Sequence, residues 1–118
     1  MVAGWVRSGD TGGDSRTLGI GQSGATIQRV SLTEVPLEVA ETLARVRVGG
    51  PFLSLQDGAI FFNRQQHLPQ REAGYYREYT VETPGSPNRR LVVGGGGAEL
   101  YYTDDHYRTF REVAEADD

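Results

Sequence analysis

The chain of 118 residues contains no cysteine. Disulfides, thiolate metal sites and cysteine nucleophiles are therefore excluded. It also contains no lysine: all twelve basic residues are arginine. Two readings of that bias stand side by side, codon preference and selection for the planar donor fork that suits phosphate. The two histidines, His67 and His106, are too few for a His-rich metal centre. No apolar run approaches the ~20 residues of a membrane helix. Net charge is −4, which excludes a general nucleic-acid coat, since such proteins bind by neutralising phosphates. Acidity is concentrated at the end. Residues 99–118 hold seven acids against Arg108 and Arg111, a net of −5, whereas residues 31–98 balance at zero.

What is present fits one domain with a single core. Residues 1–29 are small, polar and glycine-rich and read as a disordered leader or linker. No signal peptide is legible, because Val2 to Val6 is too short for an apolar signal core and lacks a basic flank. Folding is expected from near Ile27, with a domain over 30–118. Val35, Val39, Leu43 and Val46 recur at helical spacing. They predict a helix over 35–46, with Thr33 as N-cap and Pro36 in the first turn. Gly49-Gly50-Pro51 ends it. Residues 59–63, 75–83, 89–93, 100–103 and 107–111 read as strands, separated by turns at 57–58 and 83–88 and a glycine loop at 94–97. The expected class is α+β, one N-terminal helix packed on an antiparallel β-sheet. The glycine loop is not a phosphate loop, because no Lys-Ser/Thr follows. The acidic end, 112–118, reads as solvated chain.

No Gly-x-Ser-x-Gly elbow supports serine chemistry, and no carboxylate pair stands out for glycoside hydrolysis. Glu78, Arg90 and His106, with Tyr107 beside the histidine, form a more promising set. A carboxylate and an imidazole can serve as base and acid on either side of a phosphodiester, and an arginine can stabilise the phosphoryl oxygens. Each residue also has a structural reading. Glu78 fits a solvated strand face, Arg89-Arg90 a strand start, and His106 a turn.

Motifs in one order weigh between these readings. They run Gly50-Pro51-Phe52, Gln56-Asp57-Gly58, Phe61 to Arg64, Leu68-Pro69, Gly74-Tyr75-Tyr76, Glu78-Tyr79-Thr80-Val81, Thr83-Pro84-Gly85, Arg89-Arg90, Tyr101-Tyr102-Thr103, Asp105-His106-Tyr107 and Thr109-Phe110. From Val30 to Arg111 the sequence resembles the bacterial guanyl-specific ribonucleases, of which barnase is a more distant member. The resemblance implies a metal-independent endoribonuclease, without a cofactor, that cleaves single-stranded RNA to a 2′,3′-cyclic phosphate and then hydrolyses it. It makes Glu78 the general base, His106 the general acid, and Arg90 the phosphate-binding arginine, with Tyr107 lining the same pocket. Phe61, Phe62, Asn63, Arg64 and Gln65 match the base-recognition loop, and Arg89 is a further candidate to contact substrate. The acid–base pairing predicts a bell-shaped rate profile between mildly acidic and neutral pH.

The resemblance further implies a secreted monomer or a toxin domain, a barstar-like inhibitor as partner, and no membrane association. Three departures stand out. Gln65 occupies the family's usual glutamate position, the turn before Arg89 is short, and the disulfide of many relatives is absent. The first two motivate a rival reading, a non-catalytic binding protein on the same fold, and a third in which base specificity is relaxed or altered. His67 matches no catalytic position and reads as a loop histidine on the rim.

Overall fold

The computed structural model describes residues 27–115. The expected leader at 1–26 and the acidic end at 116–118 lie outside the described residues. Strand β1 (Gln28–Ser31) opens the fold, two residues before the expected domain boundary. A 3₁₀ turn, Leu32–Glu34, follows, and then helix α1 (Leu37–Val48). Five further strands complete a six-stranded sheet: β2 (Ala59–Ile60), β3 (Tyr76–Thr80), β4 (Arg90–Gly94), β5 (Glu99–Thr103) and β6 (Arg111–Ala114). Their order is β1-β6-β5-β4-β3-β2. All neighbours are antiparallel except β1 and β6, which run parallel. The α+β class is as expected, and the sheet is mixed rather than wholly antiparallel.

The helix starts later than its periodicity suggested. Val35 precedes Pro36, whose ring disfavours helical geometry at the residue before it. Val35 is accordingly extended, at φ −110° and ψ 166°. The N-cap is Pro36, not Thr33. Ser31 instead caps the 3₁₀ turn. Its hydroxyl accepts from the Thr33 N–H, and the Glu34 carboxylate accepts from the Ser31 N–H at 2.7 Å. The helix runs two residues past the expected end. It stops where Gly49 turns left-handed at φ 82° and Gly50 N–H donates to the Arg45 carbonyl.

The sheet packs on both faces. Toward the helix, Val39 and Leu43 meet Val81, Leu91, Val93, Leu100, Tyr102 and Val113. The other face carries a second cluster, Leu68, Tyr76, Val92, Tyr101 and Phe110, flanked by Phe61 and Tyr107. The pleat divides β4 between them: Leu91 and Val93 point one way and Val92 the other. That second face is therefore partly covered.

The strand expected at 107–111 does not form over 107–110. His106 and Tyr107 have φ of 59° and 75°, which no strand admits. The final strand starts only at Arg111, and Glu112 lies within it, facing Arg29 of β1 at 3.7 Å. Glu115 pairs with Arg47 of α1. The stretch 112–115 is thus structured rather than a loose solvated end.

Candidate active site

Strand β3 presents alternate residues to the face away from the helix, and Glu78 is one of them, opposite Val92 in β4. It lines a cleft of about 360 Å³ together with His106, Tyr107 and the loop 60–67. The Tyr107 hydroxyl donates to Glu78 Oε1. Burial, and then that bond to the carboxylate, raise the Tyr107 pKa well above the usual phenol range. The phenol therefore stays protonated and remains a donor. Its ring stacks on Phe61 with centroids 5.3 Å apart, and Phe110 meets Phe61 edge-on at 5.8 Å. The His106 ring lies 4.9 Å from that of Tyr107, and His106 is exposed.

The loop holding His106 is shaped by Asp105. Its carboxylate accepts from the Thr103 hydroxyl at 2.8 Å, the Arg108 N–H at 3.1 Å, and the Thr109 N–H and hydroxyl at 2.9 and 2.6 Å. These local bonds compete with strand pairing and bend 104–109 into a turn. His106 N–H also donates to the Asn88 carbonyl at 3.1 Å, which ties this turn to the β3–β4 connection. Partial burial alone would raise the Asp105 carboxyl. The bonds from Thr109, Thr103 and Arg108 outweigh it and lower the pKa to about 2. A depressed carboxyl stabilises the fold above its unfolded value of about 3.9, and that contribution is lost as pH falls toward 2. Solvent screening at this half-buried site holds it to on the order of 1–2 kcal/mol. Urea denaturation between pH 2 and 6 is expected to show wild type losing this increment on acidification. Asp105→Ala should be less stable than wild type at pH 6, and the two should converge at pH 2. A constant gap across the range would refute the assignment.

The loop expected to recognise the base is braced from within. Asn63 at φ 55° donates its amide to the Leu68 carbonyl at 2.9 Å and accepts from the Leu68 N–H at 3.1 Å. Gln66 N–H closes onto the Asn63 carbonyl at 2.9 Å. The left-handed turn at Asn63 also ends β2 at Ile60, short of the expected 63. Phe61, Phe62, Asn63, Arg64 and Gln65 all line the cleft.

The arginines divide. Arg90 opposes Thr80 of β3 and shares the face of Glu78. Its guanidinium donates to the Pro87 and Arg89 carbonyls at 2.7 and 2.8 Å. Its charge acts on the Tyr107 hydroxyl, lowering that pKa against the larger effect of burial. Arg90 stands beside the cleft rather than in its lining. Arg89 is not brought to the cleft. Adjacent residues of an extended segment point to opposite faces, and the Arg89 charge acts on Tyr102 in the helix-side core.

Two contributors escape the sequence reading. His67 is half-buried in the cleft wall, with its ring 6.3 Å from that of Phe110. Only its place between the recognition loop and the buried Leu68 hinted at this. Asp105 registers in sequence as a charge beside His106, yet its carboxylate is spent on the turn. The Asp-x-x-x-Thr spacing was the available signal. Among the described residues no group of three or more His, Asp or Glu side chains is placed to hold a metal ion.

Residues 21–114 match the ribonuclease family. Guanyl-specific ribonuclease Sa3 of Kitasatospora aureofaciens is 47% identical over 90 residues, which is 74% of this chain and 64% of that protein. The match thus spans just under two thirds of that relative's length. Guanyl-specific ribonuclease St of Saccharopolyspora erythraea is 45% identical over 87 residues, 71% of this chain and 85% of the relative. The crystal structure of ribonuclease Sa2 with guanosine-2′-cyclophosphate superimposes with a TM-score of 0.73 at 41% identity, covering 78% of this chain and 100% of the other. A profile match over most of the length, and the helix-on-sheet architecture shared with Sa2, establish that this chain belongs to the ribonuclease family.

Proposed function

We propose that the chain is an endoribonuclease that cleaves single-stranded RNA by transphosphorylation, with a preference for guanine 5′ to the scissile bond. One observation carries the reading: a carboxylate, an imidazole and a braced recognition loop line the same cleft. Glu78 takes the proton of the ribose 2′-hydroxyl. The freed oxygen attacks phosphorus while His106 protonates the departing 5′-oxygen, leaving a 2′,3′-cyclic phosphate. In the second step His106 takes a proton from water, the hydroxide opens the ring, and Glu78 returns its proton to the 2′-oxygen. Tyr107 occupies Oε1 of Glu78, which leaves Oε2 for the ribose. Arg90, beside the cleft, offers positive charge to the phosphoryl oxygens. The nucleophile comes from the substrate, so this route calls on no metal.

The family resemblance supports extending the proposal to secretion or delivery as a toxin domain, to a monomeric state, and to a barstar-like inhibitor. The deciding assay is cleavage of guanylyl-(3′,5′)-cytidine in EDTA, with products separated by chromatography. Turnover through a 2′,3′-cyclic phosphate is the expected result. No turnover on guanylyl, adenylyl, cytidylyl or uridylyl dinucleotides would leave a binding protein on a ribonuclease fold.

A further inference from the structure

One hydroxyl on the face of Glu78 has no role in the mechanism above. Thr80 ends β3 two residues after Glu78, and Tyr79 between them packs against the helix-side core. Alternation along the strand puts Thr80 on the Glu78 face, roughly 7 Å further along it. Its cross-strand partner is Arg90, whose partner on the other side is Thr103. Two threonines thus flank the arginine, and their hydroxyls differ. That of Thr103 donates to Asp105 at 2.8 Å and accepts from the Tyr107 N–H at 3.1 Å. Thr80 is half-buried, and its hydroxyl meets no hydrogen-bond partner among the described residues. Its backbone is nevertheless fixed, because the Thr80 N–H donates to Asp57 Oδ1 at 2.7 Å.

An uncommitted hydroxyl beside a guanidinium is a donor pair for a phosphoryl group. Arg90 acts on the Tyr107 hydroxyl by charge and by hydrogen bonding. That hydroxyl donates to Glu78, so the guanidinium stands next to the reacting groups. The β3–β4 turn, residues 83–88, contains no basic residue, and Arg89 faces the helix side. Arg90 is therefore the one cation this connection brings to the Glu78 face. A phosphodiester undergoing attack gathers negative charge on two non-bridging oxygens, and donors fixed beforehand around them lower the barrier. A neutral hydroxyl adds a second donor without repelling the guanidinium. It also gives up no bond within the protein when it does so. We propose that Thr80 is a further catalytic residue, its hydroxyl donating to a non-bridging oxygen of the scissile phosphate beside Arg90. This rests on the ribonuclease reading above and adds a phosphate ligand to it.

The test compares wild type with Thr80→Val and Thr80→Ser. Valine keeps the shape and the strand preference of threonine and removes only the hydroxyl. The bond of the backbone N–H to Asp57 remains available, so urea denaturation should show a folded variant. Thr80→Val is expected to lower kcat/KM on guanylyl-(3′,5′)-cytidine by about 10- to 100-fold, the worth of a hydrogen bond to a charged group. Thr80→Ser, which restores the hydroxyl, should recover most of that loss. Titration with guanosine and with guanosine 3′-phosphate separates a phosphate contact from a general disturbance. Thr80→Val should weaken binding of the nucleotide and leave that of the nucleoside unchanged. Turnover of Thr80→Val within threefold of wild type would overturn the proposal. So would equal weakening of both ligands, or a serine variant as impaired as the valine one. If wild type cleaves no dinucleotide, the ribonuclease reading itself fails, and titration with inorganic phosphate decides the site alone. Weaker binding in Thr80→Val then supports it, and equal or absent binding in both proteins overturns it.

Discussion

His106→Asn is expected to lower cleavage of guanylyl-(3′,5′)-cytidine by about 100- to 10,000-fold, the usual worth of a positioned general acid or base. Asparagine is chosen because His106 sits at φ 59°, a region that asparagine tolerates better than alanine. The side chain is exposed, so the fold should survive and circular dichroism should be unchanged. The loss should fall on kcat more than on KM, because the proton is transferred in the transition state. Glu78→Gln should cost a similar factor by removing the base. It keeps an oxygen that can accept from Tyr107, so the cleft floor should remain intact. The two variants should remove opposite limbs of the bell-shaped pH profile, Glu78→Gln the acidic one and His106→Asn the alkaline one. Activity within a few-fold of wild type in either variant would place the chemistry elsewhere.

Gln65→Glu carries the second large expectation: it should raise the preference for guanine over adenine by about 10- to 100-fold. Guanine presents two adjacent donors, N1–H and the N2 amino group. A carboxylate can accept both, whereas glutamine offers one acceptor and one donor. A hydrogen bond to a charged group is worth roughly 1.5–3 kcal/mol, which sets the size of the change. The measurement is the ratio of kcat/KM for guanylyl and adenylyl dinucleotides in both proteins. Gln65 is exposed, so no stability cost should confound it. An unchanged ratio would assign base choice to the backbone amides of the loop. Higher activity of wild type on the adenylyl substrate would mean that glutamine serves the acceptor–donor edge of adenine.

Local rules read the helix well because Val39, Leu43 and Val46 follow the helical period and Gly49 punctuates its end. They failed where two local rules met. The spacing Ser31-x-x-Glu34 is a capping-box signature, but the apolar period reaching back to Val35 concealed the separate turn it closes. Strand β1 was missed because only Val30 of its four residues is buried. One apolar residue gives no alternation, and its parallel partner lies some eighty residues downstream. The Tyr107–Arg111 stretch has strand-like composition, yet the carboxylate of Asp105 overrides it. Glu78 was legible once β3 was placed, since the pleat fixes its face. The pleat equally sends Arg89, the further candidate for substrate contact, away from the cleft, and that alternation could have been read from its place next to Arg90. His67 was undervalued because a histidine in a loop carries no periodic signal.

The division of β4 between two cores has a consequence for how this protein can change. Leu91 and Val93 belong to the helix-side core, and the loop 60–67 reaches the other cluster only through Phe61 and the His67 ring beside Phe110. Substitutions at the exposed Phe62, Arg64 and Gln65 therefore spend little of the folding free energy. A selection for new base preference can explore these three positions combinatorially while the scaffold stays constant. Evolvability is in this sense a property of the loop: both sides of β4 are committed to folding, and the positions free to vary stand outside both cores.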